Sequence, residues 1–148
     1  CALPIYEVIY MKKLNIIFWS GSGNTEAMAN LIAEGAKENG LEVKLLNVSD
    51  ASTLDVEGCD VLALGSPAMG CETIEEGEMD PFVEEISGLV SGKPTLLFGS
   101  YDWGTGEWMD TWKDRMEGYG ANVVNTLIVN NTPEGEDIEN CKAAGKAL

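Results

Sequence analysis

The chain has no histidine, and Arg115 is its only arginine. The first absence removes Ser-His and Cys-His nucleophilic dyads, imidazole general bases and His-containing zinc sites together. The second leaves 9 basic side chains against 25 acidic ones, a formal net charge of −16, and no cationic surface of the kind nucleic-acid binding requires. Long hydrophobic runs are also missing, since nothing approaches the roughly eighteen apolar residues of a membrane span. Neither a nucleic-acid nor a membrane partner is expected. The four cysteines, Cys1, Cys59, Cys71 and Cys141, form no C-x-x-C and no spacing suited to zinc or an iron–sulfur cluster. They read as reduced thiols of a cytoplasmic protein, and no metal is expected.

The opening CALPIYEVIYM lacks the basic start and small-residue cleavage pattern of a signal peptide. Met11 reads as the natural start, residues 1–10 as an extension outside the fold, and 11–148 as one domain, which suits a chain of 148 residues. The hydrophobic content of 45% is enough for one substantial core. An acidic surface attracts partners with basic patches, although it can equally serve solubility alone.

Five short apolar runs stand out: Leu14 to Trp19, Val43 to Val48, Asp60 to Gly65, Pro94 to Gly99 and Asn122 to Val129. Nearly continuous runs of this length suit buried parallel strands. Helical spacing of Met28, Leu31, Ile32 and Ala36 predicts a helix from Thr25 to about Asn39, stopped by Gly40. Further helices are expected over 80–90, 107–118 and Glu136 to Ala147, with only a turn or short helix in Ala51 to Cys59. Five buried strands alternating with helices predict an open α/β sheet covered on both faces. Ligands of such sheets lie outside the carboxyl ends of the strands, so residues 20–25, 66–78 and 100–106 are the candidate loops.

The first loop, Ser20-Gly21-Ser22-Gly23-Asn24-Thr25, joins a strand to a helix start, where unpaired N–H groups and the helix dipole favour an anion. A Walker loop would need a lysine, and none occurs between Lys13 and Lys37; G-x-G-x-x-G would need glycine in place of Glu26. This turn therefore suits one phosphate held by neutral donors, unless it merely turns the chain. The second loop, Gly65-Ser66-Pro67-Ala68-Met69-Gly70-Cys71-Glu72, offers a soft apolar side chain and a carboxylate. The third, Gly99-Ser100-Tyr101-Asp102-Trp103-Gly104, offers an indole among small residues. Met69 and Trp103 could clamp a planar ring between them, although a single loop Met or Trp is as often rim packing.

With a phosphate turn and a two-faced slot at the strand ends, the chain resembles the flavodoxins, the short-chain clostridial type in particular. The resemblance runs from about Met11 to the end. It is carried by Phe18-Trp19-Ser20-Gly21-Ser22-Gly23-Asn24-Thr25-Glu26, Ala68-Met69-Gly70, Asp80-Pro81-Phe82 and Phe98-Gly99-Ser100-Tyr101-Asp102-Trp103-Gly104. It implies a five-stranded parallel sheet of order 2-1-3-4-5 and one non-covalent FMN. Ser20 to Thr25 would take the phosphate, Met69 and Trp103 the two ring faces, Glu72 the flavin N3–H, and Ser100 and Tyr101 the pyrimidine edge. The Met69-Gly70-Cys71 turn would reorient on reduction, with the Gly70 carbonyl accepting the new N5–H. Cys71 departs from the family's usual small polar or acidic residue, and Asp102 stands where close relatives carry glycine.

The implied function is low-potential one-electron carriage, as a monomer, between redox proteins with basic patches, and no catalysis on a substrate of its own. Acids over 72–85 would steer those partners. The alternative is an FMN-dependent NAD(P)H quinone or nitro reductase of the same fold, for whose second nucleotide one arginine is a poor supply. A receiver domain would need an acidic pocket after strand one, where this chain has Ser-Gly-Ser-Gly.

Overall fold

A computed structural model describes residues 12–21, 23–69, 73–102 and 104–148. The first apolar run forms β1 (Lys13–Phe18), and the chain then enters α1 (Asn24–Glu38) through Gly23, whose φ of 95° is a left-handed conformation that glycine adopts without strain. β2 (Glu42–Asn47) follows, then a 3₁₀ turn at Val48–Asp50 and the short α2 (Thr53–Glu57) in the segment expected to hold little structure. β3 (Val61–Gly65), α3 (Met79–Glu85), β4 (Pro94–Tyr101), α4 (Glu107–Gly118), β5 (Asn122–Asn130) and α5 (Glu136–Lys146) complete the order. All neighbouring strands pair in parallel, in the sequence β2-β1-β3-β4-β5. This is the predicted sheet.

Three expectations need correction. The helix expected over 80–90 stops at Glu85, just before the poor helix formers Ser87 and Gly88. Trp19 lies beyond β1 rather than inside it. The five strands are not equally buried either: β3 is buried throughout, whereas β2 and β5, at the edges, are largely half-buried or exposed.

The apolar runs sort by alternation into two cores. Ile17, Leu62, Leu64 and Leu97 face α3 and α4, packing against Phe82, Val83, Trp108 and Trp112. Leu14, Ile16, Ala63 and Phe98 face α1 and α5, against Met28, Ile32, Cys141 and Ala144. Period two therefore operates inside runs that look continuous, because both faces are covered. Cys59 and Cys141 are free, buried thiols; removal from water pushes both up, Cys141 to about 11.

α1 and α5 touch backbone to backbone. A Cβ on Gly35 would lie 1.9 Å from the Lys142 carbonyl oxygen, and one on Gly145 would lie 2.0 Å from that of Ile32. Alanine is the better helix former by about 1 kcal/mol, yet Gly35→Ala must push the helices apart. We expect a net loss of about 2 kcal/mol in urea unfolding; a stabilised variant would refute the close contact.

α2 starts with a capping box in which Asp55 accepts the Ser52 N–H at 2.8 Å, and Lys44 lies 3.4 Å from the same carboxylate. The backbone hydrogen bond, helped by Lys44, lowers the Asp55 pKa from 3.8. A depressed carboxylate stabilises the fold above its unfolded pKa and loses that contribution as pH falls through the folded value. Asp55→Ala should therefore cost about 1 kcal/mol at neutral pH, with the two proteins converging in denaturation curves taken below pH 3.8.

Candidate functional site

At the carboxyl ends of β1, β3 and β4 lies an open cleft of about 280 Å³. Gly21 and Asn24 line it from the first loop, Pro67, Ala68 and Met69 from the second, and Ser100, Tyr101 and Asp102 from the third. All three candidate loops thus meet at the point where strand order reverses. Ser20, Gly23 and Thr25 shape the turn around it, with Thr25 only 1% exposed. Gly104 lies beyond the described lining, with a φ of 100°. The expectations for Ser22, Gly70, Cys71, Glu72 and Trp103 fall outside the described residues.

The turn leading into α1 is organised by one oxygen. Ser20 Oγ accepts the backbone N–H of Gly23 at 3.0 Å and of Glu26 at 3.3 Å, so donors at the head of α1 converge on one point. Asn24 Oδ1 accepts from Thr132 Oγ1 at 2.8 Å, which joins the turn to the loop after β5. Gly21 is needed for space: a Cβ there would lie 2.9 Å from the Trp19 ring.

Trp19 and Asn131 also line the cleft, and neither was anticipated as a site residue. Trp19 offers its indole N–H to Glu78 at 3.2 Å, which leaves the ring beside the glycine turn. Asn131 holds a φ of 60°, donates its N–H to Tyr101 O at 2.8 Å and accepts Ser100 Oγ at 2.7 Å. The Asn130-Asn131 pair was the available signal, because asparagine tolerates the left-handed region.

The second loop is pinned at both ends. Met69 and Thr73 exchange backbone hydrogen bonds of 2.8 and 3.2 Å, while Ser66 Oγ accepts the Glu75 N–H at 2.9 Å. Met69 is 38% exposed, a large apolar side chain facing the cleft. Glu75 is 8% exposed, and its carboxylate accepts the N–H groups of Gly77 (2.7 Å), Glu78 (2.7 Å) and Met79 (2.9 Å) at the entry to α3. It is a buried anchor, not part of a solvent-facing acidic rim. Asp80 is likewise engaged, with Arg115.

Tyr101 and Met69 give the cleft apolar surface, and Ser100, Asn24, Asp102 and Asn131 give it neutral or acidic polar groups. No lysine or arginine occurs among the described lining residues. Among the described residues there is also no cluster able to hold a metal ion, and no helix long and apolar enough to cross a membrane.

A sheet of this order with a cleft at its switch point defines a doubly wound α/β protein that binds its ligand across the strand ends. The flavodoxin family model matches residues 16–145. A flavodoxin of Clostridium beijerinckii is 50% identical over 136 residues, covering 91% of this chain and 98% of its own. One of Megasphaera elsdenii is 46% identical over 134 residues, covering 90% and 96%. The solution structure of the two-electron reduced Megasphaera elsdenii protein matches with a TM-score of 0.85 at 43% identity, over 91% of this chain and 99% of that one. The chain belongs to the flavodoxin family, of the short-chain type. Proteins of this family bind FMN, and the chain is an electron-transfer protein rather than an enzyme.

The carboxylate anchor of the second loop gives a direct test. Glu75→Ala removes three charge-assisted hydrogen bonds, and we expect about 3 kcal/mol of lost stability in urea unfolding. Glu75→Gln, which keeps one acceptor oxygen, should lose less.

Proposed function

We propose that the cleft at the ends of β1, β3 and β4 holds one non-covalent FMN and that the protein is a low-potential, one-electron carrier of the cytoplasm. The observation that carries this reading is the meeting of three separate loops in one open cleft whose described lining has no basic residue. The donor set fits the cofactor. The N–H groups of Gly23 and Glu26 gather on Ser20 Oγ, which fixes the turn at the head of α1 and leaves the hydroxyl proton of Ser20 to donate to a phosphate oxygen. Ser20, Gly21, Ser22, Gly23, Asn24 and Thr25 take the phosphate in this reading. Met69 and Trp103 take the ring faces, Glu72, Ser100, Tyr101 and Asp102 its polar edge, and Pro67, Ala68, Gly70, Cys71 and Gly104 the turns around it. When bound, FMN supplies the one-electron chemistry. Residues 11–148 constitute the binding domain, with 1–10 outside it.

The chain's own part is to hold the ring with one edge open and to set the field around it. Asp102 is exposed on the cleft, with its φ outside the positive range, so aspartate there carries no left-handed strain. A carboxylate at about 8 Å in an effective dielectric of about 40 opposes added negative charge by roughly 1 kcal/mol. Glu76, Glu78, Glu84 and Glu85 form an exposed acidic rim on and before α3, suited to transient, salt-sensitive docking of basic-patched redox proteins. A net charge of −16 also favours a monomer by repelling copies.

Anaerobic reductive titration followed by absorbance tests the reading. We expect a yellow protein that takes up two electrons in separate steps, with a long-wavelength absorbing form between them. Reduction by NADH or NADPH in one two-electron step would favour the reductase alternative, and a protein that refuses added FMN would overturn both. In Asp102→Asn the second midpoint potential should rise by about 40 mV. An unchanged or lower value would remove Asp102 from the argument.

A further inference from the structure

The hydrogen bond from Thr132 to Asn24 joins two loops that lie 108 residues apart in the chain. Its length of 2.8 Å is that of a well-made O–H···O bond. An exposed hydrogen bond contributes little when both side chains must give up freedom to make it. Here the donor is set in place beforehand. Asn131, the residue before it, is fixed to the end of β4 by its N–H to the Tyr101 carbonyl and by its own carbonyl, which accepts from Ser100 Oγ. Pro133, the residue after it, is buried, and a residue that precedes proline is biased toward extended backbone. Thr132 therefore carries its hydroxyl on a backbone held from both sides.

The acceptor is Asn24, half-buried, the first residue of α1 and part of the cleft lining. Its amide is planar, with a carbonyl that only accepts and an NH₂ that only donates, on diverging bonds. With the carbonyl turned to Thr132, what Asn24 has left for a ligand is a pair of donors. That polarity suits an anion. The hydroxyl also strengthens those donors, since a carbonyl that accepts a hydrogen bond polarises the NH₂ attached to the same carbon. Neither end of this relay carries a charge, which matches a first loop without lysine.

We propose that Thr132, on the reading that the first loop holds the FMN phosphate, is a positioning residue for that phosphate: its hydroxyl holds the Asn24 carbonyl so that the Asn24 NH₂ donates to a phosphate oxygen. The loop after β5 then takes part in reading the phosphate without touching it. A flavin without the phosphate gains nothing from the relay, so Thr132 sharpens the choice of FMN over riboflavin.

The test compares the dissociation constants of FMN and riboflavin for the flavin-free full chain, read from the quenching of flavin fluorescence. The wild-type chain should bind FMN more tightly than riboflavin. Thr132→Val keeps the shape of the side chain and removes the hydroxyl, so FMN binding should weaken about fivefold while riboflavin binding stays as it was. Thr132→Ser keeps the donor and should restore FMN binding to within about twofold of wild type. In an Asn24→Ala background Thr132→Val should have no further effect, because the group it acts through is gone. An FMN affinity unchanged in Thr132→Val would overturn the proposal. So would an equal loss for both flavins, which marks a loop that serves the ring rather than the phosphate, or a loss that persists without Asn24. Should the valine variant not fold, Thr132→Ala removes the same hydroxyl and is judged by the same comparison. A wild-type chain that binds the two flavins equally would overturn the phosphate reading of the first loop, and the proposal with it.

Discussion

The site depends on how closely the chain ends of β3 and β4 run together. A Cβ on Gly99 would lie 1.9 Å from the Ser66 carbonyl oxygen and 2.4 Å from the Trp108 ring, so only glycine permits the crossing. From that contact the neighbouring geometry follows. Ser66 N–H reaches Phe98 O at 3.1 Å and Ala68 N–H reaches Ser100 O at 3.0 Å, which carries the second loop past the strand end alongside the third. Ser66 Oγ then takes the Glu75 N–H, and Glu75 gathers the first amides of α3. The cleft is therefore shaped by a close crossing in the sheet, and the loops inherit their positions from it.

Much of this architecture was legible in the sequence, because a strand buried on both faces leaves an unmistakable apolar run. β3 and β4 show it plainly, and the Gly-rich interruption after β1 marks the first loop. Burial of β2 and β5 was overstated because Val43 to Val48 and Asn122 to Val129 are apolar enough to look internal, and only topology places them at the edges. The cleft was legible to the same depth. Loops after three strands were expected, and they do meet. The contribution of Asn131 was not, since it comes from just beyond β5, and the Asn130-Asn131 pair marks a turn without indicating that Ser100 would donate to it.

Charge shows a different limit of sequence reading. Seen as a string, the segment from Glu75 to Glu85, leading into and through α3, is simply acidic, and every carboxylate in it looks equivalent. In the fold Glu75 turns inward on three amides and Asp80 pairs with Arg115, while Glu76, Glu78, Glu84 and Glu85 remain at the surface. Burial selects among identical side chains, because a carboxylate withdrawn from water must find hydrogen bonds that replace it. The helix entry supplies them for Glu75.

The same selection explains how so acidic a protein can keep an anionic cofactor. Long-range repulsion from surface carboxylates is weakened by water and salt over about 8 Å at physiological ionic strength. In the proposed site, neutral donors of the first loop act within hydrogen-bond distance, where screening is negligible. On that proposal, cofactor retention and the docking of basic-patched partners rest on forces of different range. The near one is neutral in net charge and insensitive to salt, and the far one is carried by carboxylates that salt can silence. If the first loop holds the phosphate as proposed, a lysine there would merge the two by tying phosphate affinity to ionic strength, and none occurs between Lys13 and Lys37.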